Sequence, residues 1–207
     1  MEHPNKLFQG RGTDMSGRIV VLAGPSGAGK TKLSTAIEKR LNTKKVISGT
    51  TRDPRPGEVN GVDYYFFSRV EFIESVRRGE FVESAEVYGH LYGTLRDDLD
   101  SMLATGALVL LVVDIQGVES IARIYPEAQT FFVTAPKEDL IRRINERDIS
   151  EEKKQERIAK LDDELLNILS PFIKYRIRNS DNDDPKDVVQ KICDKIVYRV
   201  GPSALRE

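Results

Sequence analysis

The sequence of 207 residues contains only one cysteine, Cys193, and no tryptophan. A single cysteine excludes a disulfide within the chain and any zinc site built on several cysteines. This usage is typical of a chain that works in a reducing compartment. We therefore expect a cytoplasmic protein. Cys193 lies on the apolar stripe of the last predicted helix and is expected to be a packing residue.

An excess of one charge and long apolar runs are also lacking. Lys and Arg total 32 and Asp and Glu total 33, a formal net charge of −1, so a broad basic face for nucleic acid or an acidic membrane is not expected. The longest apolar run, residues 107–113, is far too short to span a bilayer. Residues 1–17 are polar and lack the apolar centre of a secretory signal. We interpret them as a disordered leader.

A glycine-rich run follows the apolar segment 19–23 and precedes a helical pattern. It consists of Gly24, Pro25, Ser26, Gly27, Ala28, Gly29, Lys30 and Thr31. This run matches the phosphate-loop pattern G-x-x-x-x-G-K-[ST] at every defined position. The glycines let backbone N–H groups form a concave nest around a polyphosphate, Lys30 adds a positive charge, and the Thr31 hydroxyl suits Mg²⁺. The run predicts binding of a nucleoside triphosphate with magnesium.

Strand and helix patterns alternate along the rest of the chain. Further strands are predicted at residues 46–47, 108–113, 129–133 and 175–177. The run 108–113 is continuously apolar, as expected for a central parallel strand buried on both faces. The alternation predicts a three-layer α/β fold with a central parallel sheet. A turn-rich, aromatic stretch from about residue 50 to 93 interrupts it and is interpreted as an inserted substrate-binding subdomain with antiparallel strands.

The most specific signal lies in residues 48–64, which read Ser-Gly-Thr-Thr-Arg-Asp-Pro-Arg-Pro-Gly-Glu-Val-Asn-Gly-Val-Asp-Tyr. This segment closely resembles the T-T-R-x-P-R-x-G-E-x-x-G-x-D-Y segment of guanylate kinases. Shorter matches occur at residues 81–83, 92–94, 114–117 and 135–136. The resemblance covers about residues 18–198 and implies the P-loop kinase fold of that family. It implies a kinase domain over 18–201, with a core of 18–49, 95–141 and 159–201, a GMP-binding insert of 50–94 and a helical lid of 142–158.

The resemblance implies an acceptor site for GMP, formed mostly by residues of the insert. The implied site residues are Ser48, Arg52, Arg55, Tyr64, Glu83, Tyr92, Thr94 and Asp114. Arg52 and Arg55 can hold a dianionic phosphate through forked, charge-assisted hydrogen bonds, with tyrosine hydroxyls as further donors. The carboxylate of Glu83 can accept both N1–H and the 2-amino group of guanine, a donor pair that adenine lacks. In the family, hydroxyls at the Ser48 and Thr94 positions contact the guanine O6.

The resemblance also implies a site for ATP and its metal. Arg143, Arg147 and Arg157 align with arginines that the family brings over the transferring phosphoryl group, and Asn179 aligns with a residue that contacts adenine. Lys30 and Arg52 complete the implied catalytic set. Asp114 ends an apolar strand, as a Walker B acid does, and is expected to hold Mg²⁺ through water or to orient the acceptor. The alternative for each lid arginine is a solvated surface charge.

The implied reaction is reversible transfer of the ATP γ-phosphoryl group to GMP, and to dGMP, giving ADP and the nucleoside diphosphate. Two alternatives remain open, the first of them because the sequence departs from the family pattern. Val112 stands where the family usually has an acid, His90-Leu91 replaces an asparagine-tyrosine pair, and the lid sequence 147–149 lacks one residue. One alternative is a kinase with a different phosphorylated acceptor. The other is a non-catalytic domain that binds a phosphopeptide.

Overall fold

The structure, a computed structural model, describes residues 19–200, except for the side chains of Lys44 and of residues 197–200. The strands are β1 Ile19–Ala23, β2 Lys44–Lys45, β3 Ser48–Thr50, β4 Tyr65–Phe66, β5 Phe81–Val87, β6 His90–Leu95, β7 Val109–Val112, β8 Gln129–Thr134 and β9 Tyr175–Arg178. The helices are α1 Lys30–Leu41, α2 Arg69–Arg77, α3 Arg96–Ala104, α4 Ile115–Ile124, α5 Lys137–Asn145, α6 Glu151–Ala159, α7 Leu161–Leu166 and α8 Pro185–Val200. A 3₁₀ turn, Asn167–Leu169, follows α7. The expected leader, residues 1–17, lies outside the described residues.

The central sheet has five strands, all parallel, in the order β2-β7-β1-β8-β9. Because side chains alternate along a strand, β1 feeds two cores. Val20 and Leu22 pack with residues of α1, α5 and α8, whereas Ile19 and Val21 pack with residues of α3 and α4. Helices therefore cover both faces of the sheet, which confirms the three-layer α/β prediction. Cys193 is buried in the first of these cores, as expected for a packing residue.

The prediction of a short strand at residues 46–47 is wrong by two residues. The structure places β2 at Lys44–Lys45, paired in parallel with β7. Val46 is buried and its N–H still donates to the Leu110 carbonyl at 3.1 Å, but the chain then leaves this sheet for β3. The apolar Val46 is therefore a buried residue just after β2, whereas the strand itself is formed by the two preceding lysines.

A second sheet has the strand order β4-β3-β6-β5 and draws its strands from residues 48–95. β6 is antiparallel to both β3 and β5, whereas β4 lies parallel to β3. On one face of this sheet the ring of Phe81 lies against Gly93, where a Cβ would be 2.6 Å from a ring atom. Helix α2 covers this side and begins with the capping box that the three-residue spacing of Ser68 and Glu71 in the sequence indicates.

The carboxyl ends of the central strands meet at one edge. Because these strands are parallel, the segments that follow them lie side by side. The glycine-rich loop follows β1, Asp114 follows β7, Pro136 precedes α5 after β8, and Asn179 follows β9. The fold thus brings together at one edge residues that lie far apart in the sequence. Among the helices of residues 19–200, none combines the length and apolar character needed to cross a bilayer.

Candidate active site

The glycine-rich loop joins β1 to α1 with a backbone that only glycine tolerates at key positions. Gly24 has a φ of 147° and Gly29 a φ of 86°. A Cβ at Gly24 would lie 2.0 Å from the Val133 carbonyl oxygen, and one at Gly29 would lie 2.7 Å from the Asn179 side chain. The loop is therefore held tightly against β8 and the segment after β9. Its geometry matches an anion nest at a helix N-terminus.

Lys30 lies inside this loop. Its Nζ donates hydrogen bonds to the carbonyl oxygens of Gly24 at 2.6 Å and Pro25 at 3.0 Å. Burial lowers the pKa of Lys30 to about 8, an effect opposed by nearby Glu164 and reinforced by Arg147 and Arg157. An incoming phosphate would offset this cost of burial, because an anion favours the charged form. Lys30 is thus poised to bind an anion at the loop.

A cleft of about 1180 Å³ opens beside the loop. Its lining includes Thr31 from the first turn of α1, together with Arg143, Arg147 and Asn179. Burial, then the like charges of Arg157 and Arg55, lower the pKa of Arg147. The wall near the loop is therefore strongly cationic. Such a wall favours a polyanionic ligand.

Arg143 is placed in the cleft wall by bonds to the protein itself. Its guanidinium donates to the carbonyl oxygens of Gly27 at 3.1 Å and Asn179 at 2.8 Å, and to the Asp181 carboxylate at 2.9 Å. The Asn179 side chain in turn donates to the Ala28 carbonyl at 2.8 Å. Both residues therefore brace the loop from the side of β9. Arg147 and Arg157, by contrast, form the cationic wall near Lys30.

The second sheet presents several predicted acceptor residues on one face. Thr94 pairs directly with Ser48 on one side and with Glu83 on the other, so these three side chains share a face. Glu83 is only 7% exposed, and one of its oxygens accepts a 2.7 Å hydrogen bond from the Thr94 hydroxyl. Its other oxygen faces Gly117, where a Cβ would lie 2.8 Å away. A carboxyl group this well held can read hydrogen-bond donors of a ligand.

Arg52 lies on the same face, next to two tyrosines. Its guanidinium carbon is 5.4 Å from the centroid of the Tyr64 ring, and that ring lies 6.2 Å from the ring of Tyr92. Tyr92 precedes Thr94 by two positions on β6, so their side chains share a face and their Cα atoms are about 7 Å apart along the strand. Arg55 is exposed and lies within electrostatic range of Tyr64. The structure thus brings the guanidinium and the buried carboxyl to one surface.

Glu58 organises these arginines. Its two oxygens each lie 2.9 Å from Nη2 of Arg52, and one of them also accepts the backbone N–H of Arg55 at 2.8 Å. The hydrogen bonds and the charges of both arginines hold the pKa of Glu58 below its usual range, against the effect of burial. Glu58 belongs to the motif at residues 48–64, but no role was predicted for it. Its negative charge and its position three residues after Arg55 are the sequence features that could have indicated a bond to these arginines.

Asp114 lies between the two halves of the site. It caps α4, with its carboxylate accepting the Gly117 N–H at 2.8 Å and the Gln116 side chain at 3.3 Å. Burial raises the pKa of Asp114, while these hydrogen bonds and the charge of Lys30 oppose that rise. Its charge also contributes to raising the pKa of Glu83. The cap fixes the carboxylate within electrostatic reach of both Lys30 and Glu83.

The residues that depart from the family pattern occupy ordinary structural positions. Val112 ends β7 and packs against the core beneath α1. His90 and Leu91 begin β6, where the Leu91 N–H donates to the Thr51 hydroxyl at 2.9 Å. Thus each of these side chains belongs to the sheets that frame the site.

Burial of Glu83 predicts a pH-dependent stability difference. Burial raises its pKa from the ordinary 4.5 to about 7, with Asp114 adding to the rise and Thr94 opposing it. The folded state therefore binds the proton more tightly, and stability is lost as the pH rises from 4.5 to 7, by on the order of 3 kcal/mol. The glutamine of Glu83→Gln does not ionise. The free energy of unfolding of this variant, relative to that of the wild type, should therefore be higher at pH 8 than at pH 5. Urea titrations of both proteins measure this, and an equal difference at both pH values would contradict it.

Known proteins that are similar to this chain include guanylate kinases. The family model for guanylate kinase matches residues 16–195. A guanylate kinase of Hahella chejuensis is 37% identical over 179 residues, which cover 85% of this chain and 85% of that protein. A guanylate kinase of Thermotoga maritima is 44% identical over 140 residues, covering 67% and 68%. The crystal structure of guanylate kinase from Anaplasma phagocytophilum superposes with a TM-score of 0.66 at 28% identity, covering 90% of this chain and 87% of that one.

Proposed function

Because this chain belongs to the guanylate kinase family, we propose that the site described above catalyses transfer of the ATP γ-phosphoryl group to GMP. The observation that supports this most directly is the buried Glu83, bonded to Thr94 on the same sheet face as Arg52. Together they offer an anionic reader for the purine edge and a cationic group for its phosphate. The phosphate loop at the adjoining edge supplies the place for ATP.

The proposed chemistry relies on position and charge. Arg52 and Arg55 hold the acceptor phosphate, whose attacking oxygen is already ionised, so that no general base is required. Lys30, Arg147 and Arg157 stabilise negative charge on the migrating phosphoryl group. Arg143 and Asn179, which brace the loop, would keep its N–H groups aligned toward the phosphates of ATP. These roles make transfer between two bound nucleotides faster by alignment and by neutralisation.

Magnesium fits the residues present. Within residues 19–200 no cluster of three or more acidic, histidine or cysteine side chains forms a metal site. Mg²⁺ bound with nucleotides needs only one or two protein ligands, because phosphates and water fill the rest of its octahedron. Thr31 lines the cleft at the start of α1, and Asp114 lies within electrostatic reach of Lys30. Thr31 would hold the ion directly and Asp114 through water, and the ion would neutralise part of the phosphate charge.

The division of the chain is part of the same proposal. We assign the acceptor to the insert 50–94, ATP to the core 18–49, 95–141 and 159–201, and closure to the lid 142–158. A lid over both nucleotides would exclude water, which otherwise competes as the acceptor. The chain is expected to act in the cytoplasm on small-molecule substrates, without nucleic acid or a membrane.

A substrate panel tests the proposed reaction. Release of ADP from ATP is followed with GMP, dGMP, AMP, CMP, UMP and a phosphorylated sugar in turn. GMP and dGMP are expected to support turnover, and AMP to be poorer by about 10⁴-fold in kcat/KM, because adenine leaves the buried carboxyl unpaired. No turnover above background with GMP or dGMP would overturn the proposal. Turnover with a phosphorylated sugar alone would instead identify a different acceptor.

A further inference from the structure

Four residues outside the acceptor surface form a closed circuit of contacts around the phosphate loop. Glu164 of α7 accepts the Ser26 backbone N–H at 2.8 Å with one oxygen and the Tyr88 hydroxyl at 2.5 Å with the other. Arg157 of α6 donates to the Ser26 hydroxyl at 3.1 Å. Its guanidinium carbon also lies 4.3 Å from the centroid of the Tyr88 ring. Ser26, Arg157, Tyr88 and Glu164 are thus linked in a ring.

Tyr88 brings the second sheet into this circuit. It lies with Gly89 in the two-residue loop between β5 and β6, whose ends pair at Val87 and His90. Tyr88 has a φ of 51° and Gly89 a φ of 77°. Both values are positive, as a type I′ hairpin turn requires, and asparagine or glycine usually fills such positions. A tyrosine here accepts an unfavourable backbone conformation, and its side chain reaches α6 and α7.

The charges in the circuit suit a positioning role. Burial, followed by Glu164, raises the pKa of the Tyr88 hydroxyl, so it stays protonated and remains a donor. Glu164 also lies within electrostatic range of Lys30 and Arg147. The carboxylate therefore balances part of the positive charge at the loop. The same carboxylate ties the loop to the hairpin of the second sheet.

We infer that Tyr88 and Glu164 are positioning residues for phosphoryl transfer, which hold Arg157 at the phosphate loop and link its placement to the acceptor-bearing sheet. This inference rests on the proposed function, in which Arg157 stabilises the migrating group. Neither residue is assigned to bind ATP or GMP. Their loss should therefore lower kcat while leaving the KM values for both nucleotides nearly unchanged.

Two substitutions at position 88 separate the contacts. Tyr88→Phe keeps the ring face for Arg157 and removes the hydrogen bond to Glu164. Tyr88→Leu removes both of these contacts and also that of Lys160, whose Nζ lies 4.7 Å from the ring centroid, but keeps a similar backbone cost. We expect kcat to fall about threefold in the first variant and on the order of tenfold in the second, with KM values within twofold. Tyr65→Phe is the control, since it removes a tyrosine hydroxyl that bonds a carboxylate, Asp98, elsewhere on the same sheet.

A double-variant cycle distinguishes positioning from general stabilisation. If Tyr88 acts through Arg157, adding Tyr88→Leu to Arg157→Ala should cause no further loss of kcat. Thermal melts of all variants identify any loss of folding, and Tyr88→Phe supplies the milder test if Tyr88→Leu unfolds. If the wild type turns over GMP, an unchanged kcat in the Tyr88 variants would overturn this inference but not the proposed function. Losses of kcat that multiply in the double variant would do the same. A wild type without GMP turnover would overturn the proposed function together with it.

Discussion

Replacing Lys30 by methionine is expected to lower kcat by about 10³-fold or more. Methionine keeps much of the length and apolar packing of lysine but has no charge and no N–H donor. Nζ of Lys30 lies within the loop, bonded to the carbonyl oxygens of Gly24 and Pro25, and burial there lowers its pKa to about 8, a cost that a bound anion would offset. Removing it takes away charge stabilisation where the phosphoryl group would transfer. Steady-state ADP release with saturating ATP and GMP measures the effect.

A matched control separates this role from the general loss of a lysine. Lys191 is exposed on α8, so Lys191→Met should leave kcat unchanged. The affinity of the Lys30→Met protein for GMP should also change little, because the acceptor residues lie on the second sheet. A Lys30→Met enzyme that retains kcat within tenfold of the wild type would contradict the role given to this residue.

Replacing Glu83 by glutamine is expected to lower kcat/KM for GMP by about 10²- to 10³-fold. The amide would turn one of the two acceptor oxygens into a donor. That donor would face the N–H groups of guanine in a site where Glu83 is 7% exposed and water cannot compensate. ATP lies on the other side of the proposed site, so its affinity should stay within about twofold.

Two measurements decide this second prediction. Steady-state kinetics give kcat/KM for GMP, and calorimetry gives the dissociation constants of ATP and GMP separately. The control is Glu86→Gln, which alters an exposed carboxylate on the same strand that pairs with Arg69. Equal losses of affinity for ATP and GMP in the Glu83 variant would contradict a role in reading guanine.

Local patterns predicted those parts of the fold that depend on neighbouring residues. The glycine-rich run gave the loop between β1 and α1, and Ser68 with Glu71 marked the start of α2. These features depend on backbone freedom and short-range hydrogen bonds, which the local sequence encodes. The prediction of a strand at residues 46–47 was wrong because Val46 is buried by packing, whereas the paired residues of the strand are Lys44 and Lys45.

The sequence by itself determined the glycine-rich loop and the parallel α/β architecture, because contiguous motifs and hydrophobic periodicity encode them, and its resemblance to a family predicted the chemistry-bearing residues. Only the tertiary structure decided which of those residues meet. Strand register places Glu83 opposite Thr94. Packing of α5 brings Arg143 to the Gly27 carbonyl and the Asp181 carboxylate. The bond from Ser26 to Glu164 joins residues 138 positions apart. Such contacts depend on how the helices and both sheets pack together, which no local pattern specifies.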